Sequence, residues 1–114
     1  MFAADRFPYD PPEFRVRLAR EEACVVVAAE GELDITTVGR LRREVLAVAA
    51  RGCPRVVLDL SGLTFADSSQ IHLLLELETA SAVDGFAFAV CLGDAGPARR
   101  LLTVARLEHR FASA

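Results

Sequence analysis

The chain has 114 residues, enough for one domain that buries its own core without covalent staples. It is 53% hydrophobic and 25% charged with a formal net charge of −3, which excludes the strongly basic footprint of a nucleic-acid binder. No apolar run approaches the ~18 residues of a membrane span, so no membrane association is expected.

Residues 1–12, "MFAADRFPYDPP", mix acidic and basic charges and carry three prolines. They do not read as a signal peptide. They are expected to form a mobile or loosely packed arm, with Phe2, Phe7 and Tyr9 available for docking, ahead of one domain over 13–114. "FRVRLA" (14–19) alternates apolar and polar residues, the pattern of a half-buried strand. "CVVVAAEG" (24–31) is short and β-branched and reads as a buried strand. Glu21 and Glu22 make the turn between them, and so tight a link implies an antiparallel pair.

In the next segment Val38, Leu41, Val45 and Val48 recur at helical spacing, with Arg40, Arg43, Glu44 and Arg51 off that stripe. Thr36 or Thr37 caps the start, Gly52 stops the helix and Pro54 prevents its return. "RVVLDL" (55–60) is another buried strand, and "SGLTF" (61–65) reads as a loop with two apolar residues. A helix then runs from about 68 to 83, with Ile71, Leu74, Leu75 and Ala82 toward the sheet and Glu78 among them. Glu78 is expected near the helix end, reaching out to solvent or into a salt bridge. "FAFAVCL" (86–92) is a strand, and Pro97 opens a last helix. "HRFASA" (109–114) either adds a short strand or frays. The order β-β-α-β-α-β-α implies an α/β fold with a largely parallel sheet.

Cys24, Cys53 and Cys91 are widely spaced and odd in number, so they read as small buried hydrophobes in a reducing compartment. No metal-ligand spacing, P-loop, G-x-G-x-x-G or G-x-S-x-G motif occurs. His72 falls on the polar side of its helix and His109 near the chain end, so neither is placed to activate a serine. The chain is therefore read as a non-enzyme without metal or cofactor.

The junction Asp67-Ser68-Ser69 precedes the second helix. With Asp67 as N-cap, Gln70 stands at N3, the D-x-x-Q form of a capping box. That explanation is complete in itself. A second one adds to it. A helix N-terminus accommodates a phosphate without melting, because free N–H donors and the dipole favour an anion there. Phosphorylation would add a charge of about −1.5 to −2 to the surface while the fold stays intact.

"GELD" (31–34) followed by "VVLDLSGLTFADSS" (56–69) resembles the STAS domain of the anti-sigma factor antagonist family, over about residues 14–111. The resemblance implies a mixed four- or five-stranded sheet with helices largely on one face. It also implies a bacterial, cytoplasmic partner switch. The unphosphorylated form binds an anti-sigma factor that is also a Ser/Thr kinase of the GHKL type, and the sigma factor is released. Phosphorylation of Ser68 ends binding, and a PP2C-type phosphatase reverses it. Asp67, Ser69 and Asp34 would support the phosphosite, with helix 68–83 and the stretch 61–66 in the docking face. The protein is expected as a monomer or weak homodimer. Gln70 departs from the family's usual Gly, and this bears on kinase docking and on phosphorylation itself. The alternative is a STAS adaptor or scaffold module in a signalling or transport complex, where the triplet only caps.

Overall fold

Two strands and a tight turn begin the domain in the computed structural model, which describes residues 14–111. The expected arm, 1–12, lies outside the described residues. β1 (Arg15–Arg20) and β2 (Val25–Leu33) pair antiparallel, with Arg15 opposite Glu30 and Arg20 opposite Val25. Their turn is closed by the Glu21 N–H, which donates to the Cys24 carbonyl at 2.8 Å. α1 (Val38–Ala50) leads to β3 (Arg55–Ala66), and α2 (Ser68–Asp84) leads to β4 (Ala87–Cys91). α3 (Pro97–Val104) and α4 (Glu108–Phe111) follow. The sheet order is β1-β2-β3-β4, with β2, β3 and β4 parallel, so the expected mixed sheet has four strands.

One hydrophobic cluster holds these elements together. Val25, Val27 and Ala29 of β2 and Val56, Leu58 and Leu60 of β3 face Leu41, Val45 and Val48 of α1 and Leu73, Leu74 and Leu77 of α2. Burying each large aliphatic side chain is worth about 1.5–3 kcal/mol relative to leaving it exposed. Between the buried positions, Val26, Ala28 and Val57 are only partly buried. The strands read as buried are thus enclosed less completely on their second face.

The stripe of α1 follows its sequence pattern, with Val38, Leu41, Val45 and Val48 all buried. The stripe of α2 is rotated. Gln70, Leu73, Leu74 and Leu77 are buried, Ile71 and Leu75 are partly buried, and Ala82 is exposed. "LLLEL" (73–77) offers apolar side chains around most of the helix, so periodicity leaves the direction open and packing decides it. Glu78 lies at the edge of the buried face and pairs with Arg110 of α4.

The stretch 61–65 is strand rather than loop. β3 continues through it, paired with β2, by way of two bulges. Ala28 and Glu30 face Asp59 and Gly62, and Gly31 and Glu32 face Leu63 and Phe65, so β3 carries an extra residue at each point. At the first bulge a Cβ on Gly62 would stand 3.1 Å from Glu30 Cγ and 3.2 Å from the Ala29 carbonyl oxygen, so the absent side chain lets the strands stay close. At the C-terminal end, "HRF" (109–111) forms neither strand nor frayed end but closes the helical turn of α4. Arg106, at φ 61°, reverses the chain after α3, and Phe111 returns to the core. The three thiols are free and partly buried rather than enclosed.

Candidate functional site

β2 and β3 end together. Leu33 pairs with Ala66, so the next residues, Asp34 and Asp67, open two loops from strands about 4.8 Å apart. The register of one parallel pair therefore brings together two motifs that are far apart in sequence.

Asp67 is the N-cap of α2, in extended backbone at φ −132° and ψ −164°. Its Oδ1 accepts from the Ser69 N–H at 2.9 Å, and its carbonyl accepts from the Gln70 N–H at 2.9 Å. These bonds satisfy two donors that a helix start leaves free. Ser68 is the first helical residue. It is exposed, and its hydroxyl makes no hydrogen bond among the described residues. Ser69 is partly buried. The cap therefore rests on Asp67, and Ser68 is dispensable to it.

Only half of the expected capping box forms. Gln70 turns inward instead of back to Asp67 and is fully buried. Its Nε2 donates to the Ala98 carbonyl at 3.1 Å, while Oε1 has no hydrogen-bond partner among the described residues. The apolar wall under α2 and the nearness of α3 draw the side chain away from the cap.

Asp34 is held by its own loop. Oδ1 accepts from the Thr36 N–H at 2.9 Å and from the Thr36 hydroxyl at 2.6 Å. The Thr36 hydroxyl, followed by its N–H, holds the Asp34 carboxyl below the usual carboxylate range. Thr37 stands at the N-cap of α1 but makes no side-chain cap. Its hydroxyl donates to the Glu32 carbonyl at 2.8 Å and accepts from the Asp34 N–H at 3.0 Å. The expected threonine cap is thus replaced by a closed turn, and the Asp34 carbonyl takes the first N–H groups of the helix.

Beside this end lies an open groove of about 440 Å³ that sequence reading missed. Thr64, Phe65 and Ala66 form one wall, and Pro97, Arg100, Leu101 and Val104 of α3 the other. Phe65 is 45% and Val104 82% exposed, unusual for side chains of this size. The signal was present in the apolar residues of "SGLTF", but their partners come from α3, more than thirty residues on. His72 and His109 are exposed, as expected. Among the described residues no three His, Cys, Asp or Glu side chains are grouped to hold a metal ion, and no helix is long and apolar enough to cross a membrane.

A family model described as Mlab, STAS domain matches residues 16–112. The chain belongs to the STAS domain family. Solved structures of anti-sigma factor antagonists share its fold. An anti-sigma factor antagonist from Mycobacterium paratuberculosis is 24% identical, with 87% of this chain and 83% of that one covered and a TM-score of 0.65. The anti-sigma factor antagonist SpoIIAA in its unphosphorylated form is 21% identical, with 90% and 88% covered and a TM-score of 0.65. The Bacillus cell fate determinant SpoIIAA in the phosphorylated form is 19% identical, with 89% of each chain covered and a TM-score of 0.64. No curated protein matches the chain in sequence. The Asp34 and Asp67 loops form one end of the STAS sheet, with Ser68 exposed there.

Proposed function

We propose that this STAS domain is an anti-sigma factor antagonist switched at Ser68. Its unphosphorylated form binds an anti-sigma factor that is also a GHKL-type Ser/Thr kinase, and the sigma factor is released. Phosphate on Ser68 ends that binding, and a PP2C-type phosphatase restores it. The exposed Ser68 hydroxyl carries this reading, because it stands on a cap that Asp67 maintains without it. A phosphate there meets N–H donors and the positive end of α2, so it alters the surface and leaves the helix standing. Asp34, Asp67 and Ser69 support the loop pair, and Phe65 offers an apolar contact beside it. The two states of SpoIIAA, unphosphorylated and phosphorylated, support the same cycle by likeness of fold.

The test is titration of the kinase partner with two variants. Ser68→Ala is expected to bind with native affinity and to resist phosphorylation by the kinase and ATP. Ser68→Asp is expected to bind at least about tenfold more weakly, a loss of about 1.4 kcal/mol. Equal affinity of both variants would sink the switch.

A second reading, a STAS adaptor or scaffold in a signalling or transport complex, is favoured by the buried Gln70, which ties the capped turn into the core. It predicts a stable complex or large homo-oligomer that is indifferent to both substitutions at Ser68.

A further inference from the structure

Gln70 is the fully buried polar side chain of the described residues, and half of its amide is unmatched. An unpaired buried carbonyl oxygen costs free energy that an apolar side chain of the same size would not. Stability alone therefore does not account for a glutamine here. What the side chain does is join two helices. Its Nε2 bond to Ala98 links the first turn of α2 to the first turn of α3.

That first turn of α2 also carries Ser68. Two residues along a helix are about 200° apart around its axis. Ser68 thus faces solvent from one side of the turn, and Gln70 grips α3 from the other. α3 supplies Arg100, Leu101 and Val104 to the groove whose other wall, Thr64–Ala66, runs directly into Asp67. Elsewhere α3 is held by Ala98 and Leu102, buried in the common core, and by Arg99. Arg99 donates to the Gly93 carbonyl at 2.6 Å and pairs with Glu108 of α4.

We propose that Gln70 is a positioning residue that makes the α3 wall of the groove respond to the state of Ser68. The inference deepens the switch reading and rests on it. An anion at Ser68 competes with the Asp67 carboxylate for the Ser69 N–H. The turn shifts against its cap, and the Gln70 amide carries the shift to Ala98. The groove then changes shape as well as charge when the switch is thrown.

The experiment is amide hydrogen exchange by NMR on the full chain in four forms: native, Ser68→Asp, Gln70→Met, and both together. Ser68→Asp is expected to change the exchange rates of α3 amides by about fivefold or more when Gln70 is present, and by less than about twofold in the Gln70→Met background. Exchange in α3 that ignores Ser68→Asp, or that responds equally in both backgrounds, would overturn the coupling. A purely structural Gln70 would lower protection in Gln70→Met without altering the response to Ser68→Asp. If Gln70→Met does not fold, Gln70→Leu serves in its place. Binding of the kinase partner is measured on the same proteins. Native affinity in Ser68→Asp would end the switch reading while the exchange data still decide the coupling, so the two failures are distinguishable.

Discussion

At the scale of single residues, the site divides its labour. Asp67 holds the helix start, Ser68 is left free on top of it, and Asp34 closes the neighbouring loop. Asp67→Ala is expected to lower stability by about 1 kcal/mol, the usual worth of an N-cap, and Asp67→Asn to recover most of it. Urea denaturation of the three forms checks this. The Asp34 carboxyl, lowered by Thr36, binds its proton more weakly in the folded chain than in the unfolded one. Its stabilisation is therefore complete above the unfolded value of about 3.9 and lost as pH falls through the folded value. The stability gap between native protein and Asp34→Ala is expected to be constant from pH 7 to about 5 and to close in stronger acid. A gap that widened on acidification would contradict the Thr36 contacts. The helix start at Asp67 was legible, because Asp-Ser-Ser before a helical pattern is a local signal. The inward turn of Gln70 was not legible, because its partner is a carbonyl 28 positions away.

At the scale of elements, the type and order of the strands and of the three longer helices followed from periodicity, glycine stops and prolines. The end of β3 and the buried face of α2 did not. The run from Leu60 to Ala66 places its inward side chains three apart, since each bulge adds a residue. Alternation is the mark by which a strand is recognised, so a twice-bulged strand reads as a loop. The face of α2 was hidden for the opposite reason, an excess of leucines. That face can be checked directly. Leu77→Ala, from a fully buried position, is expected to cost about 2–5 kcal/mol, and Ile71→Ala, from a partly buried one, distinctly less. Comparable losses, measured by chemical denaturation, would mean that the helix is rotated from the position described.

At the scale of the whole molecule, one cluster reaches from β2 to Phe111 of α4, so no part of the described chain has a core of its own. Unfolding is expected to be a single transition. Its calorimetric and van't Hoff enthalpies should agree, at about 70 kcal/mol near 60 °C for roughly a hundred ordered residues. A separate early transition would show that α3 and α4 open independently. Such cooperativity suits the switch proposed at Ser68. A charge placed on Ser68 would act on the turn that carries it without dividing the domain into parts that unfold separately.

The bulges of β3 give this body an unusual freedom. An extra residue in a bulge lengthens and bends its strand, yet the side chains beyond it keep their faces. Leu63 points into the core with the bulge at 59–62 and would do so again if one residue there were excised. The reach of β3 past Asp59 is thus a matter of slack, decoupled from the inventory of core side chains. Lengthening or trimming that slack would re-aim the Asp67–Ser68 corner in space, as a spacer sets the angle of a lever, without replacing a buried atom. Insertions and deletions there are a route to change the direction this corner faces without substitutions in the core.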